Sequence, residues 1–226
     1  MGKKYGIMRF SKLKEPMQIQ GLLKHAFREI PTPNADPTKE NHKFKGMPGS
    51  FQEAYDKHLK MLPKKRRKDA VTMLEFMVTA TDLQDESRER QIEYLTNALR
   101  YLAHRCGGRQ NVVHAEIHFD ETTPHLTAFI TPINEFGRLS GASMVGKTPQ
   151  EVREFQNDFY EKVAKPFGFA RGEIRDEPRK HETLKSYMAK VDRLEKENAG
   201  LREQVQDLSL RLARYEPANQ NVLRMR

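Results

Sequence analysis

The sequence predicts an α+β fold, a mainly antiparallel β-sheet with helices packed on it, followed by a C-terminal coiled-coil helix. Three observations carry that prediction. Short apolar runs of strand type alternate with segments of helical period between residues 5 and 164. Two of the strand-like runs are joined by a tight polar turn, as in an antiparallel pair. A seven-residue apolar repeat then occupies the end of the chain and nothing before it.

Taken in order, Tyr5 to Phe10 reads as a first strand and Met17 to Ile30 as a helix. At 100° per residue, Ile19, Leu22, Leu23, Ala26, Phe27 and Ile30 form one apolar stripe. His25 falls just outside it, and Arg28, three residues on, lies beside it on the polar side. Residues 31–68 are rich in Pro, Asn, Gly and Lys and read as a long connection carrying a short helix from Phe51 to Leu62, a length that marks a functional or mobile loop. Ala70 to Thr79 is apolar on both parities and is expected to be a central strand covered on both faces. Asp85 to Cys106 follows as a helix with Ile92, Leu95, Leu99 and Leu102 inward. Thr148-Pro149-Gln150-Glu151 starts a last helix, running to about Ala164, with a capping threonine, a proline in the first turn and a returning glutamate.

The chemistry concentrates in His118-Phe119-Asp120-Glu121-Thr122-Thr123-Pro124-His125. Val112, Val113, Ala115 and Ile117 before it, and Leu126, Ala128, Phe129 and Ile130 after it, read as two strands; Pro124 stiffens the turn between them. His118 would leave one strand as His125 enters its neighbour, with Glu121 projecting from the loop. Two neutral imidazoles and a carboxylate suit a divalent cation, and spacing alone leaves a polar, solubilising hairpin tip as an equal alternative. His114 and Glu116 share the strand parity of His118 but read as simple surface positions.

This segment, continued by Leu126 and Thr127, resembles the His-x-Asp-Glu-x-x-Pro-His-x-His signature of the MobV (Mob/Pre) family of plasmid mobilisation relaxases. Lys24-His25-Ala26-Phe27-Arg28 is similar to the family's first motif, and Asn34-Ala35-Asp36-Pro37, Arg67-Lys68-Asp69-Ala70-Val71 and Lys165-Pro166-Phe167-Gly168-Phe169 with Arg171-Gly172 resemble its later landmarks, so the likeness spans roughly residues 3–172. Two features depart from the pattern. Thr127 stands where the family often has a third histidine, and Asn41-His42-Lys43-Phe44 represents the second motif weakly, leaving its role open.

The resemblance implies the relaxase fold and an enzyme that nicks one strand at a plasmid origin of transfer and stays joined to the new 5′ end. It implies His25 as nucleophile, Arg28 on the phosphate or orienting His25, and Mn²⁺ or Mg²⁺ on His118, Glu121 and His125, with Glu121 counted among the catalytic groups and Asp120 behind a ligating imidazole. Tyr5, Tyr55, Tyr94 and Tyr101 offer rival nucleophiles, of which Tyr55 is the most credible. A non-catalytic origin-binding dimer and a metal-dependent single-strand endonuclease using water remain as alternatives.

Charge fits a nucleic-acid partner, with origin DNA expected in single-stranded and hairpin form. The chain of 226 residues has a net charge of +9, and residues 1–68 carry 17 Lys and Arg against 6 Asp and Glu. Lys24, Arg28 and the run Lys64, Lys65, Arg66, Arg67 and Lys68 are the expected DNA contacts, since clustered cations release counterions from a phosphate backbone. No window approaches the ~20 apolar residues of a membrane span. The single cysteine, Cys106, reads as structural, and the expectation is a cytoplasmic protein. Gly146-Lys147-Thr148 lacks the upstream glycine of a phosphate loop, which argues against a nucleoside-triphosphate enzyme.

The expected division is a catalytic domain over residues 1–175 and a helical dimerisation segment over 176–226. Leu184, Val191, Asn198, Val205 and Leu212 recur every seven residues, as do Tyr187, Leu194, Leu201, Leu208 and Tyr215 three positions later. Val and Asn at a with Leu at d favour a parallel two-stranded homodimer through residues 184–215.

Overall fold

Six strands line up in the order β2-β4-β5-β3-β1-β6 in a computed structural model that describes residues 2–172 and 184–223. They are β1 (Tyr5–Leu13), β2 (His42–Lys43), β3 (Met73–Ala80), β4 (Val112–His118), β5 (His125–Ile130) and β6 (Ala170–Arg171). Every pairing, including the directly joined pair β4–β5, is antiparallel except the short β1–β6 contact. The two-residue edge strands β2 and β6 were not legible, because so short a run has no period of its own. The chain forms two compact units, Met1–Glu173 and Ile174–Arg226.

Central β3 sorts its side chains by parity, and both faces of the sheet are covered. Leu74, Phe76 and Val78 join Ala115, Ile117, Leu126 and Ala128 beneath α3 (Arg88–Arg105) and α5 (Pro149–Phe159). Met73, Val113 and Phe129 face the other way, under Ile19, Leu23 and Ala26 of α1 (Pro16–Ala26) and Phe51 and Ala54 of α2 (Phe51–Met61). Burying such side chains stabilises each face by roughly 1.5–3 kcal/mol per large residue.

Side-chain caps start three of the helices. Ser50, Ser87 and Thr148 each accept from a backbone N–H of the first turn, at Glu53, Arg90 and Glu151. The short α4 (Gly141–Val145) follows β5, and α5 runs on through a π turn at Tyr160–Ala164. Cys106 ends α3, fully buried, and burial pushes its thiol up to about 12, which keeps it protonated and inert.

One helix departs from expectation in a way that matters for the site. α1 was expected to reach Ile30 but stops at Ala26: the Phe27 N–H closes the last turn on Leu23 O, and Arg28 adopts φ +58°. A left-handed residue ends a helix. Arg28 therefore projects from beyond the helix, not from its polar face, and Ile30 lies exposed outside the stripe.

In the second unit, α6 is a single helix from Leu184 to Leu223. Leu194, Leu201, Val205, Leu208 and Leu212 on its repeat are 44–63% exposed. The side chains of Leu184, Tyr187 and Tyr215 lie outside the described residues.

Candidate active site

Strand register builds the site. His118 ends β4 directly opposite His125 at the start of β5, and their ring centroids are 5.2 Å apart. The same row continues to Thr79 of β3 and Ile7 of β1, while the next row carries Glu116, Thr127, Met77 and Arg9. All of these sit at the sheet end to which α1 returns. A cleft there is lined by His25, Arg9, Glu121, His125, Thr127 and Met77, among others. His25, Glu121 and His125 thus share one wall system although they are up to a hundred residues apart in sequence.

Arg28 is the hub. Its Nε donates to Asp120 Oδ2 and its Nη2 to Asp120 Oδ1, both at 2.7 Å, while Nη2 also reaches Glu121 Oε1 at 2.7 Å and His118 Nδ1 at 3.1 Å. Its Nη1 lies 3.5 Å from His25 Nε2 and donates to His25 O at 3.3 Å. Burial opposes the guanidinium charge, yet the bonds to Asp120 and Glu121 outweigh it and raise its pKa. Burial likewise opposes the Asp120 charge, but the bonds from Arg28 and Asn41 hold that carboxyl below its ordinary value.

An arginine only donates, so its neighbours assign the imidazole tautomers. His25 Nε2 and His118 Nδ1 face Arg28 and must present lone pairs there; His125 Nδ1 faces Thr123 O at 3.0 Å and must carry the proton, leaving Nε2 open. Thr32 Oγ1 lies 3.4 Å from the remaining His25 nitrogen, Nδ1. His25 and His118 each aim a lone pair at Arg28. Burial, followed by Arg28, lowers the pKa of His25, and burial with His125 and Arg28 lowers that of His118 to about 3. Both are neutral at pH 7, the state that attack and ligation need.

As donors, two neutral imidazoles and a carboxylate fit a divalent cation. They are not gathered around a common point as they stand: among the described residues no three His, Cys, Asp or Glu side chains converge to hold a metal. The reason is specific. Arg28 Nη2 takes one oxygen of Glu121 and Asn34 Nδ2 the other, at 2.9 Å, while Arg28 and Asn41 Nδ2 share the His118 lone pair.

Several expectations need correction. Asp120 chiefly holds Arg28, and its Oδ1 is 3.8 Å from His118 Nδ1. His114 and Glu116 do share the face of His118 but are buried, not surface groups, and Phe27 lies on the His114 ring at 4.1 Å between centroids. Their side chains approach each other at 3.4 Å.

The weak second motif acquires a role: Asn41 Oδ1 accepts from the N–H groups of Phe119 and Asp120 at 2.8 and 3.2 Å, pinning the turn on which the motif depends. Asn34, Thr32 and Arg9 were missed as site residues. The first two lie in a loop without periodicity; Arg9 stood out in the sequence only as one of several cations near His25, and the cross-strand register puts it on the cleft.

The basic run is elsewhere. Lys65, Arg66 and Arg67 line one hollow with Arg138 and Lys147, and Lys64, Arg66, Arg67 and Lys68 line another with Lys14 and Tyr55. Both hollows lie where β3 begins and β5 ends, about 20 Å of strand from His118 and His125. Tyr55 is thereby placed at the far end of the sheet, Tyr94 is buried and hydrogen-bonds Thr79 O, and Tyr101 packs at the edge of the core with its hydroxyl on Asp158. Lys24 lies over the Phe51 ring at 4.9 Å.

Residues 2–189 match the family described as plasmid recombination enzyme, Mob_Pre. Among individual proteins, the chain is 27% identical over 201 residues to a plasmid recombination enzyme type 3 of Staphylococcus aureus, covering 83% of this chain and 48% of that protein. It is 31% identical over 213 residues to a type 2 enzyme of S. aureus strain Mu50, covering 85% and 47%. Thus the chain spans about half the length of these relatives. The MobM relaxase domain, solved with Mn and plasmid pMV158 oriT DNA, has the same fold, with a TM-score of 0.66 at 24% identity over 82% of this chain and 98% of that one.

Proposed function

Since the chain belongs to the plasmid recombination enzyme (Mob/Pre) family, we propose that it is a relaxase that nicks one DNA strand at a plasmid origin of transfer, holds the 5′ phosphate on His25, and rejoins the strand for mobilisation. The observation that carries this is the neutral His25 ring, its Nε2 lone pair beside a permanent cation, on the same cleft as Glu121 and His125.

In water a phosphodiester resists attack because its oxygens repel nucleophiles. A divalent ion, Mn²⁺ or Mg²⁺, when held by His118, Glu121 and His125, supplies neutralisation of the non-bridging oxygens. The rest falls to side chains. Arg28 keeps His25 in place and offers its guanidinium to a phosphate. The Nε2 lone pair of His25 attacks phosphorus; the bond to the 3′ oxygen breaks with its electron pair, that oxygen takes up a proton, and the imidazolium sheds its Nδ1 proton toward Thr32 Oγ1 or water. The phosphoramidate retains the phosphate's energy, so a returning 3′-hydroxyl reverses the step. Arg9, exposed on the cleft wall, is placed to meet the strand.

Catalysis belongs to residues 1–175 in this reading, and residues 176–226 pair two copies through positions 184–215. The DNA is bound as single strand and hairpin, with Lys24, Arg28 and Lys64 to Lys68 on its backbone, in the cytoplasm. Among the described residues no helix is long and apolar enough to cross a membrane.

The test uses supercoiled plasmid carrying the cognate origin, with Mn²⁺. Relaxation is expected, with the 5′ end recovered on His25 by mass spectrometry, and His118→Ala abolishes it. An adduct on Tyr55 would overturn the nucleophile, and nicked DNA with a free 5′ phosphate would replace transfer with hydrolysis by water.

A further inference from the structure

The Arg28 Nη2 atom is surrounded as a small cation would be. It has two hydrogens but three acceptors within 3.1 Å: Asp120 Oδ1, Glu121 Oε1 and His118 Nδ1. Two of those three, Glu121 and His118, are groups assigned above to a divalent ion, and the lone pair that His118 would offer is the one now aimed at Arg28. We propose that Arg28 and a divalent ion compete for Glu121 and His118, so that the ion is held only as the guanidinium gives those two groups up. The inference rests on the metal reading above.

Three observations support the exchange. The two occupants share acceptors and carry like charge, so they cannot hold the same groups together. Arg28 has somewhere to go: its Nε stays tied to Asp120 Oδ2 at 2.7 Å, outside the contested contacts, and the side chain is 21% exposed. Its backbone is held at φ +58°, an uncommon position for a residue with a side chain, which the fork on Asp120 helps maintain.

The charge balance gives the exchange a use. The charges of Asp120, Glu121 and Arg28 sum to −1; a divalent ion would bring the sum to +1, which matches one incoming phosphodiester. Metal loading and release of the guanidinium toward that phosphate become a single event. Without the exchange Arg28 would be no more than a fixed brace.

Mn²⁺ titration by calorimetry on the full chain, without DNA, tests this. Arg28→Ala should bind Mn²⁺ at least about tenfold more tightly than the natural chain, a change of about 1.4 kcal/mol. The gain should persist near 1 M salt, where a Debye length of about 3 Å screens simple repulsion. As a second readout, which also shows that the variant is folded, Mn²⁺ should raise the urea midpoint of Arg28→Ala by more than that of the natural chain. Equal or weaker binding by a cooperatively unfolding Arg28→Ala overturns the exchange while leaving the metal site standing. If neither protein binds Mn²⁺, the exchange and the metal reading fall together.

Discussion

Arg28 and Asp120 meet as a two-pronged fork, Nε to Oδ2 and Nη2 to Oδ1, each at 2.7 Å. The two residues are 92 positions apart, so this pair ties the end of α1 to the turn between β4 and β5. It is what sets His25 against the histidine pair. Asp120→Asn keeps the shape and removes the charge. Stability should fall by about 1–3 kcal/mol, and the single-turnover nicking rate by about 10²-fold, with DNA affinity nearly unchanged, since the loss is one of positioning. Stopped-flow cleavage with equilibrium binding measured in parallel reads both.

If His25 is the nucleophile, as proposed, attack requires the neutral ring, which fixes a pH profile. Burial, then Arg28, lowers its pKa below the ordinary imidazole value. The nicking rate should therefore rise with pH and level off below pH 6.5, the ring being already deprotonated there. A midpoint above 6.5, measured under single-turnover conditions, contradicts that assignment.

His58 gives stability an acid dependence separate from catalysis. It is buried on α2, with Nδ1 2.9 Å from Thr131 Oγ1, and burial lowers its pKa to about 4. In the unfolded chain the same ring binds a proton near pH 6.5. Between those values the unfolded state holds more protons, so stability is full above pH 6.5 and is lost progressively toward pH 4, by about 3 kcal/mol from this residue. His118 adds a loss in the same direction. Urea midpoints at pH 7 and 4.5 should differ less in His58→Gln than in the natural chain.

The strand pair and its two histidines were legible because they are local: eight consecutive residues fix the turn, and period two fixes the face. What joins them to His25 was not. Arg28 lacks the glycine that usually signals a left-handed helix end, so the helical stripe overran to Ile30. Asn34 and Asn41 reach the turn from a loop with no period at all. His114 and Glu116 fell on the expected face, but both are buried, His114 with Phe27 against its ring, a tertiary fact no alternation encodes.

Charge at the far end of the sheet should affect binding without touching the chemistry. Lys65, Arg66, Arg67, Arg138 and Lys147 line one hollow, about 20 Å of strand from the histidine pair. That wall carries no aromatic ring, so it suits a phosphate backbone better than unpaired bases. Replacing Lys65, Arg66 and Arg67 with Glu should weaken binding of an origin hairpin and lower the slope of log affinity against log salt by about 3. Mn²⁺ affinity should not move. Equal losses for a short single strand spanning the nick site would place the run on the cleaved strand instead.

The exposed repeat on α6 makes a last prediction about assembly. Leu194, Leu201, Val205, Leu208 and Leu212 are apolar, half or more open to solvent for the most part, and spaced for a second helix. Burying such a seam against a copy of itself recovers about 25 cal/mol for each Å² covered, enough over several heptads to hold a dimer. Asn198 adds direction: two facing amides at an a position satisfy each other only in parallel register, so Asn198→Leu should tighten association while admitting other oligomers. In sedimentation the full chain should run as a dimer, the chain cut after Lys180 as a monomer, and Asn198→Leu as a mixture. A dimer that survives the cut would move the contact to the first unit and leave the repeat without that role.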